Sequence, residues 1–216
     1  MFFGLPDCDK VFMTYFDRWY NPEDRKRKGF PATRPDVMTN PNLKGISPQE
    51  ASPLTEDGQS EIKKMVESMI DASRGDWPTF ISVSEPIDIG WIDAFDKFHD
   101  KGCVKALMKS SRPDDFSSDF FVRCCEFGAV LGHVLLTTRP NLHWVYDHPY
   151  WESYVFDPQV GQVFPVFHWA IKKFSSYGID DSFKAKILAC SEMIQQERDA
   201  QPPAGGDGKP APQPGR

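Results

Sequence analysis

The segment that most constrains the fold is an apolar stretch from Pro113 to Thr138, which contains glycines at positions 128 and 132. Its apolar side chains recur at helical spacing, so the stretch predicts one long helix capped by Ser111 or the residues that follow it. A glycine inside a helix costs about 1 kcal/mol relative to alanine. Since two glycines lie about one turn apart, we expect another element to approach closely across this face.

The pattern changes to that of strands after Pro140. Alternating apolar residues over 142–146 predict one strand, and residues 151–156 predict a second. Residues 157–161, with the sequence DPQVG, predict a turn because proline sets φ and glycine accepts a positive φ. Residues 162–164 then form the returning strand, so the region predicts a hairpin.

Further helices are predicted on both sides of the hairpin. Helical spacing of apolar residues is found in three segments: 55–73, 88–100 with Asp88 as its cap, and Pro165 to Gly178. A last helix is expected from Asp180 or Asp181, and a short strand over 79–84. This order predicts an α+β fold, mainly helical, with a small antiparallel sheet packed on the long glycine-containing helix.

Proline content sets the expected domain boundaries. Six prolines lie in residues 21–53, which predicts that residues 1–54 form a proline-rich N-terminal arm with little regular structure. Residues 55–199 are expected to form the globular α+β domain. Residues 200–216 contain five prolines and four glycines without an aromatic residue, so a disordered tail is expected there.

Charge and cysteine usage restrict the possible partners and compartment. The formal net charge of −6 argues against a general nucleic-acid binder, and the single basic run over 25–28 is best interpreted as a solvated loop. The five cysteines have no CxxC spacing, which is typical of a reducing compartment. No 18-residue apolar stretch is apparent in the sequence, so no membrane span is expected. We therefore expect a cytoplasmic protein that contacts neither nucleic acid nor membrane.

The hairpin region is the strongest functional signal, because it carries more aromatic rings than one face of a small sheet can bury. Alternation should direct some rings outward, and the bend at Pro149 should present Tyr150 and Trp151 to solvent. Tyrosine and tryptophan are favoured in protein interfaces because they offer large area at little cost in rotamer entropy. The candidate binding residues are Trp144, Tyr146, Tyr150, Trp151, Tyr154, His168 and Trp169.

The order of these motifs resembles a class of bacterial domains of unknown function. The features concerned are Phe127-Gly128 to Gly132 in a helix, Trp144 on a strand, the turn at 157–161, and a proline-opened helix with a basic pair over 165–178. The class has a leucine where this chain has Phe127, and a turn one residue shorter. The resemblance implies a small bacterial protein of the kind met beside toxin or secretion genes.

Three functional hypotheses follow. The first is a non-catalytic protein-binding module that uses the aromatic hairpin surface, in the manner of an immunity-like neutralising partner for a basic protein, without metal or other cofactor. The second is a small metal-dependent hydrolase, in which His143, Asp147, His148 and His168 would converge on one site. The third is a scaffold domain whose rings only form the core.

Overall fold

The computed structural model describes residues 4–23, 55–75, 87–189 and 192. The strand predicted over 79–84, the basic run over 25–28 and the C-terminal tail lie outside the described residues. The α+β prediction is confirmed, since helices dominate and one small antiparallel sheet is present. The helices are α1 (Cys8–Tyr15), α2 (Glu56–Gly75), α3 (Ile89–Phe98), α4 (Lys101–Ser110), α5 (Asp119–Thr138) and α6 (Val166–Lys173), and the strands are β1 (His143–Val145), β2 (Tyr154–Asp157) and β3 (Gln162–Phe164).

The three strands form an antiparallel sheet in the order β1-β2-β3. Trp144 lies opposite Val155, which lies opposite Phe164 on the far strand. The predicted turn joins β2 to β3, and Gly161 has a φ of 69°, which a side chain would make unfavourable. The hairpin prediction is therefore confirmed, including the role of its glycine.

The two glycines of α5 allow the close packing that the sequence predicts. A Cβ atom on Gly128 would lie 2.9 Å from the Cα atom of Phe167 in α6, and a Cβ atom on Gly132 would overlap the indole of Trp144 in β1. Backbone and ring therefore occupy the space that alanine side chains would need. Because α6 and the sheet both rest on α5, this helix is the centre of the fold.

The long helix begins at Asp119 rather than at Pro113, where the sequence predicts it. Asp115 accepts hydrogen bonds from the backbone N–H (2.9 Å) and the hydroxyl (2.6 Å) of Ser117, which holds the preceding residues in turns. Ser111 still caps the helix, because its hydroxyl oxygen accepts a hydrogen bond of 2.9 Å from the backbone N–H of Phe120. The predicted cap is correct, but it acts from a segment outside the helix.

Residues 5–20 contribute to the globular core, although the sequence analysis placed them in the N-terminal arm. Helix α1 is capped by Asp7, whose carboxylate accepts a hydrogen bond of 2.7 Å from the backbone N–H of Lys10. Phe12 and Phe16 are fully buried, and Phe16 stacks on Phe121 of α5 with ring centroids 4.8 Å apart. The apolar spacing of this short helix allows it to cover α5 and the loop between β1 and β2, residues 146–153.

Helix α3 confirms the prediction for residues 88–100, since the Asp88 carboxylate accepts hydrogen bonds from the backbone N–H groups of Gly90 and Trp91. Gly102, expected to stop that helix, instead lies in a separate helix α4. The Asp100 carboxylate caps α4 by accepting a hydrogen bond of 2.8 Å from the backbone N–H of Cys103. A second capping aspartate therefore restarts the helix two residues after α3 ends.

The final described segment is held by a buried ion pair. Lys173 at the end of α6 lies with its Nζ atom 3.1 Å from the Asp96 carboxylate of α3, and it also donates to the carbonyl oxygens of Ile179 and Asp181. The other oxygen of Asp96 accepts a hydrogen bond of 2.7 Å from the backbone N–H of Phe183. These contacts join α3 and α6 to the helical residues 183–189.

Helix α5 also has the length and the apolar composition of a membrane-spanning helix, although the sequence interpretation found no such stretch. About 72% of the qualifying window is buried inside the fold. Core helices of other folds pass the same test, so the helix gives no information on localisation. The cytoplasmic assignment and the absence of a membrane partner remain predictions.

Candidate functional site

The two faces of the sheet have different neighbours. Trp144, Val155 and Phe164 point toward α5 and α6, where Val155 and Phe164 are buried and Trp144 covers Gly132. The register places the intervening residues on the opposite face, because side chains alternate along a strand. We call this opposite face, formed by His143, Val145, Tyr154, Phe156 and Val163, the outer sheet face.

The outer sheet face is largely apolar, yet its residues lie outside the main hydrophobic core of the described residues. Val145, Phe156 and Val163 are half-buried, and His143 is exposed at one end of the row. His143 packs its ring edge-on against Phe156, with centroids 5.5 Å apart. These side chains therefore present a connected apolar patch that is partly open to solvent.

Tyr154 is the most buried member of the outer sheet face, with 8% of its surface exposed. Burial, together with the carboxylate of Asp147, raises the pKa of its phenol to about 12. The phenol therefore keeps its proton at physiological pH and can act as a hydrogen-bond donor. An aromatic side chain with one polar tip is typical of interface centres.

Charged residues are nearly absent from the sheet. In the three strands the ionisable side chains are those of His143, Tyr154 and Asp157, and Asp157 is fully buried. Its carboxylate is used locally, since it accepts a hydrogen bond of 2.9 Å from the backbone N–H of Gln159 in the turn. The outer sheet face thus carries no fixed charge, in a chain in which 26% of residues are charged.

The prediction that the bend exposes Tyr150 and Trp151 is wrong. The residues form a short 3-10 helix, Tyr150–Glu152, after a cis peptide bond at His148–Pro149, and the two rings are only 5% and 1% exposed. Trp151 packs edge-on against Phe16 and Phe121, with centroids 5.7 and 5.5 Å away. Helix α1 supplies the cover that the sequence interpretation did not anticipate.

The remaining predicted binding residues divide between core and surface. Trp144, Tyr146 and Trp169 are half-buried and pack against the main core, and His168 is 6% exposed. Tyr146 stacks on Trp144 at 5.9 Å, and burial, together with the carboxylate of Glu67, raises its pKa to about 12. Of the seven predicted binding residues, Tyr154 is the one that lies on the outer sheet face.

The predicted hydrolase residues do not converge. His143 is exposed on β1, and Asp147 is buried and accepts a hydrogen bond of 2.7 Å from the backbone N–H of His148. His168 lies on α6, with its Nε2 atom 3.4 Å from a carboxylate oxygen of Glu152. Among the described residues, no group of three or more His, Cys, Asp or Glu side chains could hold a metal ion.

The buried contact between His168 and Glu152 is part of a polar joint. The Tyr20 hydroxyl donates to the same carboxylate oxygen, and the Trp151 indole N–H donates to the Tyr20 oxygen at 3.0 Å. The joint connects α6, the loop between β1 and β2, and the segment that follows α1. Both side chains of the His168–Glu152 pair are 8% exposed, so the joint is a structural contact rather than an accessible site.

The buried cysteines of α5 are also structural. Burial raises the pKa of the Cys125 thiol above its ordinary value, and Cys124, beside it, is affected in the same way. A thiol that keeps its proton is a poor nucleophile. The two side chains serve as small core residues, in agreement with the sequence interpretation.

Comparison of the chain with protein-family models, with curated proteins and with solved structures gave no match. The resemblance to the bacterial class of unknown function therefore stays a prediction.

Sequence reasoning missed most of the outer sheet face because it ranked residues by ring size. Val145 and Val163 have no aromatic ring, and Phe156 was one member of a large aromatic set. The signal that identifies them is the period of two along each strand, combined with the strand register. Once Trp144 is known to pack against α5, the alternate residues of the strands must lie on the face of the sheet that points away from α5.

Proposed function

We propose that the protein is a non-catalytic protein-binding module and that the outer sheet face is its contact surface. The observation that carries the proposal is the alternation of the sheet: one face forms the core, and the other presents apolar side chains that belong to no described core. Connected apolar side chains that stay partly open to solvent are a feature of interaction surfaces.

The composition of the outer sheet face suits a protein partner. Phe156 offers ring area, and Val145 and Val163 form a β-branched surface beside it. Interface centres are depleted in charged residues and enriched in aromatic ones. A charge-free sheet face therefore allows close contact without desolvating an ion.

The charge of the whole chain supports a basic partner, such as a toxin that this protein neutralises. A formal net charge of −6 attracts a positively charged protein over a distance of about one Debye length, roughly 8–10 Å at physiological salt. Long-range attraction raises the association rate, whereas apolar contact at the patch slows dissociation. The two features thus act at different stages of one binding event.

The proposal is tested by recovery of partner proteins from the native host with two matched variants. Val163→Lys places a charge on the outer sheet face, and Gln162→Lys places the same charge one residue earlier, on an exposed side chain that alternation directs away from that face. Quantitative mass spectrometry of co-purified proteins should show one specific protein lost with Val163→Lys and retained with Gln162→Lys. If no protein distinguishes wild type from Val163→Lys, the proposal fails.

A further inference from the structure

A second aromatic surface lies away from the sheet, at the N-terminal end of α5. Phe116 is 42% exposed, and its ring packs edge-on against Trp19 with centroids 4.5 Å apart. Trp19 is half-buried and follows α1 in a short 3-10 helix, Asp17–Trp19. We call Trp19 and Phe116 the aromatic pair.

The aromatic pair is held rigidly from both sides. The indole N–H of Trp19 donates a hydrogen bond of 2.8 Å to the carbonyl oxygen of Tyr15. The Phe116 loop is closed by backbone hydrogen bonds of 3.1 Å, from Asp115 to Arg112 and from Ser118 to Asp115. A rigid surface loses little conformational entropy when it binds, so the pair is organised for contact before any partner arrives.

The inner edge of the aromatic pair is continuous with the core. Phe116 lies 4.6 Å from Phe121 and 5.9 Å from Trp151, measured between ring centroids, and both of those rings are 1% exposed. The outward parts of the rings are therefore backed by fixed, buried side chains. Anchoring pockets at protein interfaces have this construction.

Acidic residues surround Phe116 along the chain. Asp114 and Asp119 are exposed, and Asp115 is used within the loop, where hydrogen bonds from Ser117 lower the pKa of its carboxyl. Within the described segments 17–20 and 111–119, the cationic side chains are those of Arg18, which is exposed, and Arg112, whose Nε atom lies 3.7 Å from Asp114 with both side chains largely exposed. An exposed pair of this kind contributes little free energy and is easily exchanged for a competing cation.

We propose that the aromatic pair and the carboxylates of Asp114 and Asp119 bind a basic segment of a partner protein, with an arginine or lysine side chain over the rings. Aromatic faces attract guanidinium and ammonium groups, and the exposed carboxylates two residues before and three residues after Phe116 add Coulomb attraction for the same cations. The site is separate from the outer sheet face, so it goes beyond the proposed function and can fail or hold independently of it.

The test uses the purified full-length protein and a hexa-arginine peptide as probe. The indole N–H signal of Trp19 in a nitrogen–proton correlation spectrum, assigned with Trp19→Phe, should shift on addition of the peptide. The double variant Asp114→Asn/Asp119→Asn should weaken binding by about fivefold to tenfold, because each exposed charge contact contributes modestly. Raising the salt concentration should weaken binding further.

The matched control is Asp57→Asn/Glu61→Gln, which removes the same charge from two exposed side chains of α2. Equal weakening by both double variants, or an unchanged Trp19 signal, overturns the proposal because either result leaves only non-specific attraction. A third variant replaces the four basic residues at 25–28 with glutamine. If Trp19 responds to the peptide only in that variant, the chain's own basic run occupies the site and the partner assignment is wrong.

Discussion

The two faces of the three-stranded sheet are formed by alternate residues of the same strands and have different surroundings. On the inner face, Trp144 and Phe164 pack against α5 and α6, and two glycines of α5 make room for that packing. On the outer face, Phe156 and Val163 remain partly open to solvent. Similar side chains therefore contribute to folding on one face and to proposed contact on the other, which shows that residue type alone does not distinguish the two roles.

The largest expected effect compares two phenylalanines of the sheet. Phe164→Ala should lower the free energy of unfolding by about 3–5 kcal/mol, because Phe164 is 2% exposed and its removal leaves a cavity. Phe156→Ala should cost only about 1 kcal/mol, because solvent already reaches that ring. Urea denaturation of both variants measures the difference. Equal losses would show that the outer face is part of the core.

Acid should destabilise the buried surroundings of His99, the residue that follows the last turn of α3. His99 is 2% exposed and stacks on Phe95 with centroids 4.0 Å apart, and burial lowers its pKa to about 4. Because the folded state favours neutral His99, its stability contribution is complete above about pH 6.5 and is lost as pH falls toward 4. The contribution at stake is about 3 kcal/mol.

The measurement for His99 is urea denaturation at several pH values, with His99→Phe as the control. The variant should lose less stability than wild type between pH 6.5 and pH 4, because it has no imidazole to protonate. Carboxylates titrate in both proteins, so the difference between the two curves isolates His99. Parallel curves would show that the imidazole is accessible to protons in the folded state.

The glycines of α5 provide a comparison of intermediate size. Gly132→Ala should cost about 2 kcal/mol, since its Cβ atom would overlap the Trp144 indole. Gly102→Ala in α4 is the control: its Cβ atom would meet only the Asp100 carboxylate at 3.2 Å, so improved helix propensity should leave stability unchanged or up to about 1 kcal/mol higher. The thermal unfolding midpoint should fall for Gly132→Ala and stay unchanged or rise for Gly102→Ala, and a stabilised Gly132→Ala variant would contradict the packing.

The sequence predicted those features that depend on local chemistry. The glycine-containing helix α5, the DPQVG turn and the Asp88 cap each depend on residues within a few positions of one another. The burial of Trp151 depends on Phe16 and Tyr20, which lie about 130 residues earlier in the chain. Tyr150 instead packs against Phe116 and Phe167. No local pattern shows that α1 covers the loop between β1 and β2. The rings of Tyr150 and Trp151 were therefore predicted to be exposed.

The outer sheet face occupies an intermediate position in this respect. The period of two was visible in the sequence, but the pattern alone does not show which of the two faces meets the helix. The contact of Gly132 with Trp144 decides the question, and it required the structure. Helix α4 was missed for a local reason, because Gly102 is a common stop signal and Asp100 a common cap, and the two signals conflict.

The smallest effect on stability is expected at the position with the largest effect on binding. Val163→Lys should change the free energy of unfolding by less than about 1 kcal/mol, because a half-exposed lysine can direct its ammonium group into water. Its circular dichroism spectrum should match that of wild type. A large loss of stability would mean that reduced partner recovery reflects unfolding rather than lost contact.

Photo-cross-linking in the living host tests the outer sheet face most directly. A photoreactive amino acid is placed at position 163 on the outer sheet face, and at position 188, where Leu188 is 47% exposed on the helix over 183–189, as the control. We expect one discrete cross-linked species of higher mass from position 163 and none of that mass from position 188. No cross-link at position 163, or the same species from both positions, would contradict it.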